Sequence, residues 1–91
     1  MKIIFLESSA RDVDWMRQYY RNVFSEGAKN ARKHYLSAIK AISTNPKTGH
    51  PSERVATARE LHIHRTPFTF IYRINGEYVE ILRVLDGRSG E

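Results

Sequence analysis

The sequence predicts an α+β fold of order β-α-α-β-β-β, a helical hairpin laid on one face of a mainly antiparallel, twisted sheet. Two observations predict it. From Arg59 to Leu85 apolar and polar residues alternate, so side chains repeat every two positions as in strands. From Ala10 to Ser43 the apolar residues recur at spacings of three and four, as on a helix. Pro46 and Pro51 mark the switch between the two periods. The 91 residues make one domain spanning 1–91, with no internal repeat and no linker.

Lys2 to Leu6 is the first strand, too short an apolar run for a signal peptide. Ser9 is a candidate N-cap for the first helix, with Asp12 and Asp14 in a turn where the helix dipole favours negative charge. That helix runs from Ala10 to Phe24. Val13, Met16, Tyr20 and Val23 share a face, which Trp15, Tyr19 and Phe24 widen. The second helix runs from Ala28 to Ser43, with Ala28, Ala31, Tyr35, Ala38, Ile39 and Ile42 on one face. Asn45-Pro46 ends it, because the residue before proline disfavours the α region. Thr48 to Ala58 reads as a loop.

Three strands follow. Arg59 to Arg65 places Leu61 and Ile63 on one side and Glu60, His62 and His64 on the other. Phe68 to Ile74 gathers Phe68, Phe70, Tyr72 and Ile74 on one face. Asn75-Gly76 signals a two-residue hairpin turn, pairing Ile74 with Glu77, Arg73 with Tyr78 and Arg83 with Phe68. Tyr78 to Leu85 is apolar on both sides, with Val79, Ile81 and Leu85 on one and Tyr78, Leu82 and Val84 on the other. It is therefore expected in the middle of the sheet. Asp86 to Glu91 contains two glycines and no apolar residue, the composition of a tail.

The formal net charge is +5, and it is unevenly placed. Between Gly27 and Ser52 lie Lys29, Arg32, Lys33, Lys40 and Lys47, and no acid. Such a stripe favours an acidic partner, protein or nucleic acid, unless it is merely a solvated helix face. There is no cysteine, so thiolate chemistry and disulfides are excluded. No apolar run approaches the roughly 20 residues of a spanning helix. His62 and His64 could act as acid/base groups or as two metal ligands. A zinc site, however, wants about four ligands, and only His34 and His50 remain besides. An ordinary half-exposed strand face explains the pair as well.

The order Arg59-Glu60-Leu61, then Phe68 and Tyr72 followed by Arg73, a turn, Val79 to Leu85 and a basic end at Arg88 resembles the RelE/ParE superfamily of bacterial toxins. Those belong to type II toxin–antitoxin modules, and the resemblance extends over the whole chain. RelE-like members cut messenger RNA on the ribosome with basic residues and a tyrosine near the C-terminus. ParE-like members poison DNA gyrase without an evident nuclease site. Where RelE-like chains carry an arginine in the middle strand, this chain has Thr69, and no tyrosine follows the last strand. Arg88 matches the basic closing residue.

The resemblance therefore implies a cytoplasmic ParE-like toxin that inhibits gyrase by binding and is neutralised by a ParD-like antitoxin. It implies no cofactor, no metal and no membrane partner. The implied target-binding residues are Arg59, His62, His64, Arg65, Arg73, Arg83 and Arg88. The antitoxin-binding set combines the aromatics Trp15, Tyr19, Tyr20 and Phe24 with Arg32, Lys33 and Lys40. The alternative is a RelE-like endoribonuclease with Arg65, Arg73, Arg83, Arg88 and the histidines as its active surface. A third reading is a nucleic-acid-binding module without toxicity.

Overall fold

The computed structural model describes residues 1–23 and 28–87, and only the backbone of residues 20, 22, 23 and 28–31. The elements follow the expected order with one short strand, β2, added: β1 (Lys2–Phe5), α1 (Ala10–Val23), α2 (Ala28–Thr44), β2 (His50–Pro51), β3 (Arg59–His62), β4 (Phe68–Asn75) and β5 (Tyr78–Asp86). The sheet order is β1-β5-β4-β3-β2. β1 runs parallel to β5, and every other pairing is antiparallel. β5 is thus internal, as its two apolar faces require.

The core lies between the helices and one face of the sheet. Phe68, Phe70, Tyr72, Val79 and Ile81 are fully buried there with Met16 of α1 and Ile42 of α2. Burying one such large side chain contributes about 1.5–3 kcal/mol, so this layer supplies most of the driving force. Tyr19 stands edge-on to Phe68 with ring centroids 5.2 Å apart. Tyr35 leans on Phe70 at 5.9 Å. β1 is also tied to the end of α2, where Ser43 Oγ donates to the Met1 carbonyl at 2.6 Å.

Four local expectations are corrected. Ser9 does not cap α1. It sits buried in a short 3-10 turn, Glu7–Ser9, and its hydroxyl donates to the Leu6 carbonyl at 2.7 Å. β3 ends at His62 rather than Arg65. The chain then turns tightly, with Ile63 N donating to Phe68 O and Arg65 at a φ of 61°. The stretch Thr48–Ala58 is not all loop: a 3-10 turn at Pro46–Thr48 leads into β2, a two-residue edge strand where proline is tolerated.

The fourth correction is the hairpin register. Asn75 pairs with Tyr78, so Gly76 and Glu77 form the turn, and Gly76 carries the positive φ of 62°. Arg73 then faces Glu80 instead of Tyr78. A bulge follows between Ile71 and Tyr72, where Tyr72 pairs with Ile81 but Ile71 pairs with Arg83. The extra residue, Leu82, resets the alternation of β5. Val84 joins Val79 and Ile81 in the core, and Arg83 turns out to solvent. Strict alternation would have driven the arginine charge into the core.

Gly49 lies where no side chain fits. A Cβ there would stand 2.3 Å from the Glu60 carbonyl oxygen and 2.8 Å from the Tyr72 hydroxyl. That hydroxyl accepts from Gly49 N and donates to Pro46 O, so it pins the α2–β2 connection to β4. Gly49→Ala is expected to destabilise the protein by about 1–3 kcal/mol, the usual cost of overpacking. Urea unfolding monitored by circular dichroism measures it, and an unchanged midpoint would show that the connection yields freely.

Candidate functional site

The strand arginines proposed to meet a target, Arg59, Arg73 and Arg83, do not converge on one pocket. Arg59 points along the sheet to the α2–β2 connection, where one Nη donates to the carbonyls of Gly49 (2.6 Å) and Lys47 (3.1 Å). Its Nε is buried without a described partner. Arg73 pairs across the hairpin with Glu80 at 2.6 Å. Hydrogen bonding to Arg73 holds the Glu80 carboxyl below its ordinary pKa. Arg83 reaches α1, where its Nε and Nη donate to both oxygens of Asp12 at 2.6 and 3.2 Å. This two-point contact raises the pKa of Arg83 further, so it is always charged.

Of the remaining residues, Arg65 and His64 are exposed in the β3–β4 turn, and the ring of His64 meets His34 of α2 edge-on at 5.4 Å. The His62 Nε2 lies 2.6 Å from the Thr66 carbonyl and is committed to that turn. Thr69 sits between His62 and Leu85 in the pairing register. Arg88 lies outside the described residues. Among the described residues no three His, Cys, Asp or Glu side chains are placed to share a metal ion. No described helix is long and apolar enough to cross a membrane.

The contact of α1 with β5 is more extensive than the sequence indicated. β1 pairs with β5 only as far as Ile81, where Leu6 N donates to the Ile81 carbonyl. Beyond that point side chains take over. Ser8 Oγ donates to Leu82 O (2.7 Å), Asp12 accepts from Val84 N (3.0 Å), and Trp15 Nε1 donates to Asp86 (2.8 Å). Residues spaced by four and three on the helical side thus meet every second residue of the strand. Asp12, expected only to complement the helix dipole, is the centre of this seam.

The helical hairpin carries the surface assigned to an antitoxin. Arg32, Lys33 and Lys40 are exposed as expected. Trp15 is half exposed although its indole N–H is engaged. Tyr19 is partly buried, packed against the core. The side chain of Tyr20 and all of Phe24 lie outside what the structure describes. Between the helices runs a cleft of about 420 Å³ lined by Val13, Met16, Arg17, Arg21, Tyr35 and Leu36, with Arg32 at its rim. Arg17, Arg21 and Leu36 were not singled out from the sequence. Burial raises the pKa of the Tyr35 hydroxyl, opposed by the nearby charge of Arg17.

The chain matches the family described as the ParE toxin of the type II toxin–antitoxin system parDE over residues 3–89. A solved structure of the chromosomal ParDE TA system from P. aeruginosa is similar to it, with a TM-score of 0.69, 29% identity and 92% of each chain covered. No curated protein matches.

The two outward ion pairs should differ in weight. Asp12→Ala leaves the Val84 amide and the Arg83 guanidinium without their acceptor and should cost about 1–3 kcal/mol. Arg73→Ala breaks an exposed hairpin pair and should move the unfolding midpoint much less. Parallel urea titrations check this, and equal losses would show that Asp12 is only another surface acid.

Proposed function

The chain belongs to the ParE toxin family of type II toxin–antitoxin systems, and we propose that it inhibits DNA gyrase by binding and that a ParD-like antitoxin holds it inactive. The observation that carries the binding mode is the use made of the strand cations. Arg59, Arg73 and Arg83 are each engaged by a carbonyl or a carboxylate of the fold. The middle strand offers Thr69 where a ribonuclease of the superfamily would offer an arginine. That arrangement leaves no cluster of cations poised around a scissile phosphate among the described residues. It suits a body that presents surfaces, with Arg65 and His64 as the exposed candidates for gyrase contact and Arg88, outside the described residues, as a further candidate.

An antitoxin fits the same picture. The basic face of α2 and the interhelical cleft favour a segment that is acidic, carries apolar anchors and folds on binding. Charges at the rim of such a contact mainly set the association rate, and buried apolar groups set the dissociation rate.

Purified protein is to be titrated into a gyrase supercoiling reaction and, separately, into translating ribosomes. The expected result is loss of supercoiling with intact messenger RNA, reversed by the antitoxin. Codon-specific cleavage of messenger RNA, abolished by Arg88→Ala, would replace this reading by the ribonuclease one. A chain ending at Gly87 tests the tail, because Asp86 and Gly87 themselves hold Trp15 and the Pro67 carbonyl. It should fold and inhibit gyrase more weakly.

A further inference from the structure

Three clefts on the helical side form one groove. The interhelical cleft shares Val13, Arg17 and Tyr35 with a second cleft of about 330 Å³ that opens at Phe5, next to β1. It shares Arg32 and Leu36 with a third, along the outer face of α2, which adds Lys33 and Lys40. The floor is apolar throughout: Phe5, Val13, Met16, Tyr35 and Leu36. Leu36 is 50% exposed and Phe5 38%, so both ends of the floor are open to water.

The walls change sign along the groove. At the α2 end stand Arg21, Arg32, Lys33 and Lys40, and Arg17 lies in the middle. At the β1 end the charged residues beyond Arg17 are Glu7 and Asp14. None of these seven forms an ion pair with a described residue, whereas Glu60, Arg73, Glu80 and Arg83 of the sheet do. A solvated basic face explains neither the continuous apolar floor nor the acidic end. Duplex DNA has no protruding apolar anchors to fill the floor, and its phosphates would be repelled by Glu7 and Asp14.

We propose that this groove is a polarised seat for one amphipathic helical segment whose own charge reverses along its length. Acidic residues lie against the Arg21–Arg32–Lys33 end, apolar anchors at i, i+3, i+4 and i+7 fill the floor, and a basic residue meets Glu7 and Asp14. The inference rests on the reading that a protein segment holds the toxin, and it adds how that segment is recognised. A uniformly acidic helix gains at one end and is repelled at the other, so charge order, not net charge, selects the partner.

The test uses three synthetic fluorescent peptides of about 16 residues, long enough to form a helix on the surface. They share the apolar positions. One has acids in one half and lysines in the other, one has the same residues interspersed, and one is uniformly acidic. Anisotropy titrations with the full chain should show the segregated peptide binding at least about tenfold tighter than the interspersed one. Leu36→Asp, at an exposed position, should abolish the binding. Glu7→Lys with Asp14→Lys should shift the preference to the uniformly acidic peptide. Equal binding of segregated and interspersed peptides, or competition by a duplex DNA oligonucleotide at the same residues, would overturn the proposal. The peptides report on the groove without gyrase. A negative supercoiling assay beside a positive peptide titration therefore removes the gyrase reading alone, and the reverse pair of results removes the groove alone.

Discussion

β5 has a free edge after Ile81, and the way that edge is closed organises the molecule. A strand in the middle of a sheet needs partners on both sides, yet β1 is four residues long and β5 is nine. The remaining length is partnered by Ser8, Asp12 and Trp15. An exposed run of unpaired amides and carbonyls would be a template for wrong pairing. Here the seam of side chains removes that hazard and also fixes where α1 lies on the sheet. The core face of α1, through Val13, Met16 and Tyr19, follows from that placement.

The bulge opposite Ile71 belongs to the same arrangement. It brings Arg83 to the outside and Val84 to the inside, so that one carboxylate, Asp12, serves both the guanidinium of the first and the amide of the second. With Arg73 on Glu80 and Arg59 on two carbonyls, the three strand arginines are components of the fold. Among the described residues, Arg17, Arg21, Arg32, Lys33 and Lys40 line an apolar groove on the helices without an ion pair. The two faces therefore differ: the strand arginines are satisfied within the fold, and the helical side carries charges that form no ion pair among the described residues.

Much of the fold was legible because its signals are local. Alternation located β3, β4 and β5, helical spacing located α1 and α2, and the apolar faces of β5 placed it inside the sheet. What stayed hidden depends on pairing. Asn75-Gly76 marked the hairpin but not which two residues form its turn. The shift by one became evident only once Arg73 stood opposite Glu80. A bulge has no sequence signature of its own, although Arg83 in an apolar strand was a hint that alternation must fail nearby. Gly49 looked like a loop residue, and only the approach of the Glu60 carbonyl shows why it has no side chain. On the helices, the aromatics attracted attention as anchors, and Tyr19 leans partly buried against the core. The exposed apolar residue ringed by charge is Leu36, which a search for aromatics passes over.

The most direct measurement of whether the sheet arginines serve the fold rather than the target is a gyrase titration of the double variant Asp12→Leu with Arg83→Met. Circular dichroism first confirms that it is folded. If the charge of Arg83 is committed to Asp12, the folded variant inhibits supercoiling within about threefold of the parent, well under 1.4 kcal/mol. A folded double variant that has lost more than about tenfold in inhibition would show that the Arg83 charge acts on the target, and the division between a structural sheet and a binding helical face would be wrong.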